Sequence, residues 1–160
     1  MIPSPLHLET YFFTEIHLVA CPAGCDTTGD GLFSSLVECS RHEADPSKWM
    51  VQLGIHKVED DEEGCPEYTF EIQVVGLFDV DKKYPAEKAE SMVQANGPAV
   101  LFGAVREMVA NLTARGPFSP VELPTVTFVD ECKSSGKSAK PKSRRPRPRR
   151  SSKKVTRSTE

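Results

Sequence analysis

The sequence predicts an α+β fold: a four-stranded antiparallel sheet followed by a long packed helix, with a disordered C-terminal tail. Three observations predict it. Segments of alternating apolar and polar residues come first and helical patterns come after them, an order that segregates sheet from helix. The apolar periodicity then stops. From position 133 the chain turns to Lys, Arg, Ser and Pro, with Val155 its one large apolar residue, and such a segment cannot offset its ordering entropy by burial. Residues 1–132 therefore read as one domain and residues 133–160 as a tail.

The first strand is read around Phe12, Thr14, Ile16 and Leu18, which alternate onto one face, with Glu15 and His17 on the other. Tyr11, Phe13 and Val19 interrupt that polarity. ACPAGCDTTGDG at 20–31 has the Gly, Asp and Thr content of a long crossing loop, and a second strand starts near Leu32. Asp45, Pro46 and Ser47 make a turn. Trp49, Val51, Leu53 and Ile55 then alternate with Gln52, Gly54 and His56 in the clearest strand of the chain. EDDEEGCPE at 59–67 reads as a charged hairpin tip, and Tyr68, Phe70, Ile72 and Val74 form the partner strand with Thr69, Glu71 and Gln73 between them. Pro85 opens a short helix carrying Ala86, Ala89, Met92 and Val93, which Asn96 and Gly97 end. Pro98 opens a longer one with Leu101, Val105, Met108, Val109 and Leu112 along one stripe, stopped by Gly116 and Pro117. Strand order is not readable from these patterns.

The formal net charge of -3 hides an asymmetry. The tail holds twelve of the twenty basic residues and one of the twenty-three acidic ones, leaving eight against twenty-two in the body, a net of -14. A body of that sign repels nucleic acid and anionic lipid, while the tail attracts both. The five cysteines are odd in number and irregularly spaced, which argues against a disulfide framework and for a reducing compartment. With no positively charged leader ahead of an apolar segment and no apolar run of membrane-spanning length, the expectation is a cytoplasmic protein without membrane insertion.

Cys21, Cys25, Cys39 and His42 bear zinc-type ligand atoms, but their spacing lacks the two tight pairs of a structural zinc site, so no metal is expected. Ser34, His42 and Asp45 lie near one another without a nucleophile-elbow motif, and no phosphate loop or cofactor fingerprint is present. The expectation is a non-enzyme that needs no cofactor. In the tail, Arg144, Arg145, Arg147, Arg149 and Arg150 suit nonspecific contact with a phosphate backbone. No glycine lies between them for close minor-groove approach, and no aromatic residue is there to stack on bases. The plainer role is a solubilising extension that partly screens the acidic body.

Across 76–128 the sequence resembles the SecB protein-export chaperone family. The matching pieces, in order, are GLF at 76–78, NGPAVLF at 96–102, VRE at 105–107, LTARGPF at 112–118 and LPTVTF at 123–128. Residues 9–70 resemble it in strand pattern, loop position and residues such as Phe12, Ile16 and Pro22. The resemblance implies an ATP-independent holdase, a homotetramer built as a dimer of dimers, that binds unfolded or precursor polypeptides for export and hands them to SecA. It places the polypeptide-binding groove at Leu32, Phe33, Trp49, Val121, Leu123 and Phe128, and SecA docking at Glu15 and Glu71. In such a tetramer Ala104 and Ala110 would let a second helix approach closely. Val19 and Thr69 depart from the family pattern beside the docking positions, and the basic tail replaces the family's second helix and acidic end. These departures suggest a specialised relative, such as a dedicated chaperone of a toxin–antitoxin system. The alternative of a different class is a nucleic-acid-associated adaptor acting through the tail.

Overall fold

The computed structural model describes residues 3–22, 32–58 and 66–128. Four strands, β1 (Leu6–Ala20), β2 (Leu32–Arg41), β3 (Lys48–Val58) and β4 (Tyr68–Val80), precede one helix, α1 (Ala86–Thr113). The strands form an antiparallel sheet in the order β1-β4-β3-β2, and α1 packs on one face of it. This is the expected α+β architecture. β1 and β2 are thus the opposite edges of the sheet. Most of the expected crossing loop at 20–31, the acidic run at 59–63 and the residues from 129 onward, the tail at 133–160 among them, lie outside the described residues.

β3 and β4 are the centre of the sheet because their alternation is unbroken. The register sets Trp49 opposite Phe78, Val51 opposite Gly76, Leu53 opposite Val74 and Ile55 opposite Ile72, all on the helix side. Val51, Leu53, Ile55, Ile72 and Val74 are fully buried there with Leu101, Val105 and Val109 of α1. Each such side chain contributes about 1.5–3 kcal/mol relative to exposure, so this layer carries the fold.

β1 departs from the expected pattern. The register shifts between Leu8 and Thr10 and again between Phe13 and Glu15. Each bulge adds one residue and so exchanges the faces. Phe13, Ile16 and Leu18 lie on the helix side, whereas Phe12, opposite Val75, joins Glu15 and His17 on the open face. Phe12 and Ile16 are therefore on opposite faces, contrary to simple alternation.

The helix is the second correction. Asn96, Gly97 and Pro98 do not separate two helices; α1 runs through them as one 28-residue element. Pro98 costs the ladder one N–H donor, and the Asn96 side-chain amide donates to the Met92 carbonyl at 2.8 Å in the same turn. Gly97 is there for contact: a Cβ would lie 2.9 Å from Val51 Cγ2. One turn on, Leu101 enters the space left by Gly76, where a Cβ would meet Leu101 Cδ2 at 2.7 Å. A glycine on each surface lets helix and sheet approach at the Val51–Gly76 pair.

After α1 the chain is tied back by two hydroxyls. The Phe118 N–H donates to Tyr68 Oη at 3.0 Å, and that hydroxyl donates to the Thr113 carbonyl at 3.3 Å. Thr113, fully buried, donates to the Val109 carbonyl at 2.8 Å and accepts from the Val121 N–H at 2.9 Å. Leu123 and Phe128 then enter the core, Phe128 edge-on to Phe102 with centroids 5.9 Å apart.

Candidate functional site

Two surfaces hold the residues singled out by sequence. On the helix side, Phe33 lies opposite Lys57 near the start of β2 and is exposed. Leu32 begins the same strand. Trp49 is 6% exposed, with the Arg41 guanidinium 5.5 Å from its ring centroid. Leu123 and Phe128 are 4% and 3% exposed, and Val121 is half-buried against the same cluster. Three of the six groove candidates are thus core side chains, and Phe33 and Val121 present surface.

The open face of the sheet holds the other pair. Glu15 accepts a hydrogen bond from the Gln73 amide at 2.8 Å, and Gln73 in turn accepts from Gln52 at 3.3 Å. Glu71 lies between His17 and His56 in the register, with His56 Nδ1 3.4 Å from its Oε1. Glu38 sits on the same face of β2, opposite Gln52. Both family-implied docking carboxylates therefore share one surface, ordered by neighbouring amide and imidazole groups. Phe12, Met50, Leu77 and Leu36 add exposed apolar side chains between the acids. A concavity of about 590 Å³ at one end of this sheet region is lined by Glu9, His42, Lys48, Met50 and Leu77, among others. The Glu9 carboxylate accepts from Lys48 Nζ at 2.9 Å, and this bond together with the charge of Glu9 raises the lysine pKa above its usual value.

His42 and Asp45 are occupied by the β2–β3 turn. Asp45 Oδ1 accepts from the Ser47 hydroxyl at 2.8 Å and its N–H at 3.1 Å, which holds the carboxyl below its ordinary pKa. His42 Nδ1 accepts the Asp45 N–H at 3.1 Å. Ser34 lies opposite His56, toward the other end of β2. Cys21 is buried, Cys39 is half-buried on β2, and Cys25 lies outside the described residues. Among the described residues, no three His, Cys, Asp or Glu side chains are grouped to hold a metal ion, and no helix is long and apolar enough to cross a membrane.

Ala104 and Ala110 are half-buried on α1, while Val100 and Gly103 are exposed. The five arginines of 144–150 lie outside the described residues. The Tyr68 and Thr113 hydroxyl network had no signal in the sequence, because it joins residues 45 and 50 positions apart.

Comparison with known proteins gives a consistent picture. The family described as preprotein translocase subunit SecB matches residues 34–133. The protein-export protein SecB of Acidithiobacillus ferrooxidans is 38% identical over 61 residues, 38% of this chain and 40% of that protein. The protein-export protein SecB of Anaplasma marginale is 30% identical over 85 residues, 53% of this chain and 47% of that protein. The chain thus spans less than half the length of either relative. A solved Mycobacterium tuberculosis SecB-like chaperone, in complex with a ChAD peptide from the HigA1 antitoxin, superposes with a TM-score of 0.51 at 16% identity. That likeness covers 76% of this chain and 87% of the other and concerns the fold. With a family match across 34–133 and the sheet-then-helix architecture beneath it, this chain belongs to the SecB family.

Proposed function

We propose that the protein is an ATP-independent holdase that binds unfolded or precursor polypeptides in the cytoplasm for export, without catalysing a reaction. The family match over residues 34–133 carries this reading. The surface chemistry supports it, since Phe33 on the helix side and Leu36, Met50 and Val58 on the open face are exposed apolar side chains set among polar neighbours. Such surfaces bind apolar segments and free backbone groups without sequence readout. The binding groove includes Leu32, Phe33 and Val121, with Trp49, Leu123 and Phe128 forming its underlying wall. Residues 1–132 are the chaperone domain and residues 133–160 its appended tail. Glu15 and Glu71 are the docking positions for SecA.

The working assembly is a homotetramer, a dimer of dimers. β1 supports this, because it is a 15-residue edge strand with exposed apolar residues on both faces: Leu8, Tyr11 and Ile16 on the helix side, Phe12 and Val19 on the other. A long apolar edge of this kind requires covering. Ala104 and Ala110 of α1 complete the interface.

The test is binding of a labelled, reduced unfolded polypeptide to the full-length protein at moderate salt, beside the same polypeptide folded. Clear preference for the unfolded form is expected, and equal binding of both would overturn the proposal. An antitoxin segment as a second probe separates a dedicated chaperone from a general one. Retention of nucleic acid with no polypeptide binding would instead favour an adaptor acting through the tail.

A further inference from the structure

We propose that the basic tail of this chain docks on the open face of its own sheet, between and beside Glu15, Glu38 and Glu71, and must be displaced by any other basic partner of that face. No described element packs on this face, since α1 occupies the other. The register gathers Glu15, Glu38, Glu71 and Asp79 on it, with Glu9 at the β1 bulge. Among the described residues Lys48 is the one Lys or Arg the register puts there, and Glu9 already pairs with it. With histidines counted as neutral, five carboxylates face one ammonium. Residues 133–160 carry the opposite sign, twelve Lys and Arg against one acid, so the complement of this face lies in the same chain. The exposed side chains of Phe12, Met50 and Leu77 lie among the carboxylates and can take the aliphatic stems of Arg and Lys while the charged heads reach the acids.

Length permits the contact. The last described residue, Phe128, is anchored on the helix side against Phe102, and Arg144 is 16 positions further on. A random coil of 16 residues would have an average span of about 20–24 Å. Strands spaced about 4.8 Å apart make the four-stranded sheet only about 14 Å wide between its outer strands, so the tail can round an edge. Tethering also supplies an effective concentration in the range of about 1 mM. A contact far too weak for a separate peptide at micromolar concentration is therefore populated within one molecule.

The inference does not depend on the holdase reading, because it concerns only this chain's charges and connectivity. The test is limited trypsin cleavage of the full-length, nuclease-treated protein after Arg144, Arg149 and Arg150, followed by mass spectrometry. A synthetic peptide of residues 133–160 under the same conditions gives the unprotected rate. At an ionic strength of about 0.01 M, where the screening length is about 30 Å, cleavage in the protein should be at least about fivefold slower than in the peptide. At about 1 M, with screening near 3 Å, the ratio should fall to about one. Glu15→Gln, Glu38→Gln and Glu71→Gln together should abolish the protection, and Glu38→Gln alone, at an exposed edge position, should lower it in part. A ratio near one at low salt overturns the proposal, as does protection unchanged in both variants. Protection that fades on dilution would assign the tail to a second copy, and protection seen only before nuclease treatment would assign it to nucleic acid; either result overturns docking within one chain.

Discussion

The helix–sheet contact at Gly97 makes a prediction with a definite sign. In Gly97→Ala the new Cβ meets Val51 Cγ2 at 2.9 Å, well inside the roughly 3.5–4.0 Å of a favourable carbon contact. Val51 is fully buried and lies between the central strand β4 and β2, so it has little room to yield. Overpacking of this kind costs about 1–3 kcal/mol, against a gain of about 1 kcal/mol for replacing a helical glycine by alanine. The variant should be neutral to about 2 kcal/mol less stable, and a double-mutant cycle isolates the clash. In a Val51→Ala background the obstacle is gone, so Gly97→Ala should return its helix gain and stabilise by about 1 kcal/mol. The coupling between the two sites should thus be about 1–3 kcal/mol. Urea unfolding of the four proteins at one protein concentration reads it as midpoint shifts at unchanged slope. Gly103→Ala, on the same helix with open space around its Cβ, is the comparison and should gain about 0.4–1 kcal/mol. Additivity of Gly97→Ala and Val51→Ala within about 0.5 kcal/mol would refute the close-approach account.

Other outcomes follow from the same geometry. Tyr68→Phe strips the half-buried Phe118 N–H of its acceptor, and losing such a hydrogen bond costs about 0.5–1.5 kcal/mol. Hydrogen exchange should accelerate at Phe118 before the rest of the fold. Thr113→Val leaves the Val121 N–H without its partner and should destabilise by a similar amount, with Thr113→Ser restoring most of the loss in thermal melts. Asp45 has a folded-state pKa below its ordinary 3.8, chiefly through the Ser47 hydroxyl, so its contribution is present above that value and lost as pH falls through the folded pKa. The stability difference between the native protein and Asp45→Ala should accordingly be steady near neutrality and close below pH 3.8; a difference that persists through acid would contradict the hydrogen-bond assignment. Ile16→Lys places a charge on the exposed edge strand β1, and sedimentation should show a smaller assembly if that edge joins copies of the chain.

The unevenness of what the sequence discloses has physical causes. β3 and β4 are readable because each side chain's face follows from unbroken alternation, and their mutual register preserves it from Trp49 to Ile55. β1 carries the same kinds of residues but two bulges, which leave composition untouched while exchanging faces, so Phe12 and Ile16 separate. Gly97 misleads for a different reason. Asn-Gly-Pro has the local form of a helix end followed by a new start, and only the approach of Val51, from a strand 46 positions earlier, makes the glycine a packing residue within one helix. Among the site residues, Glu15 and Glu71 are placed on one surface because alternation reports which way a strand residue points. Trp49, Leu123 and Phe128 are recognisable as apolar, but apolarity does not distinguish a groove that awaits a client from a core that is already filled. In this chain they fill the core. On the proposed holdase reading, binding must therefore come from side chains left exposed, which makes Phe33, rather than Trp49, the position where substitution to Ser should weaken polypeptide binding without loss of stability. Equal loss of binding and melting temperature in Phe33→Ser would place that residue, too, in the structural layer.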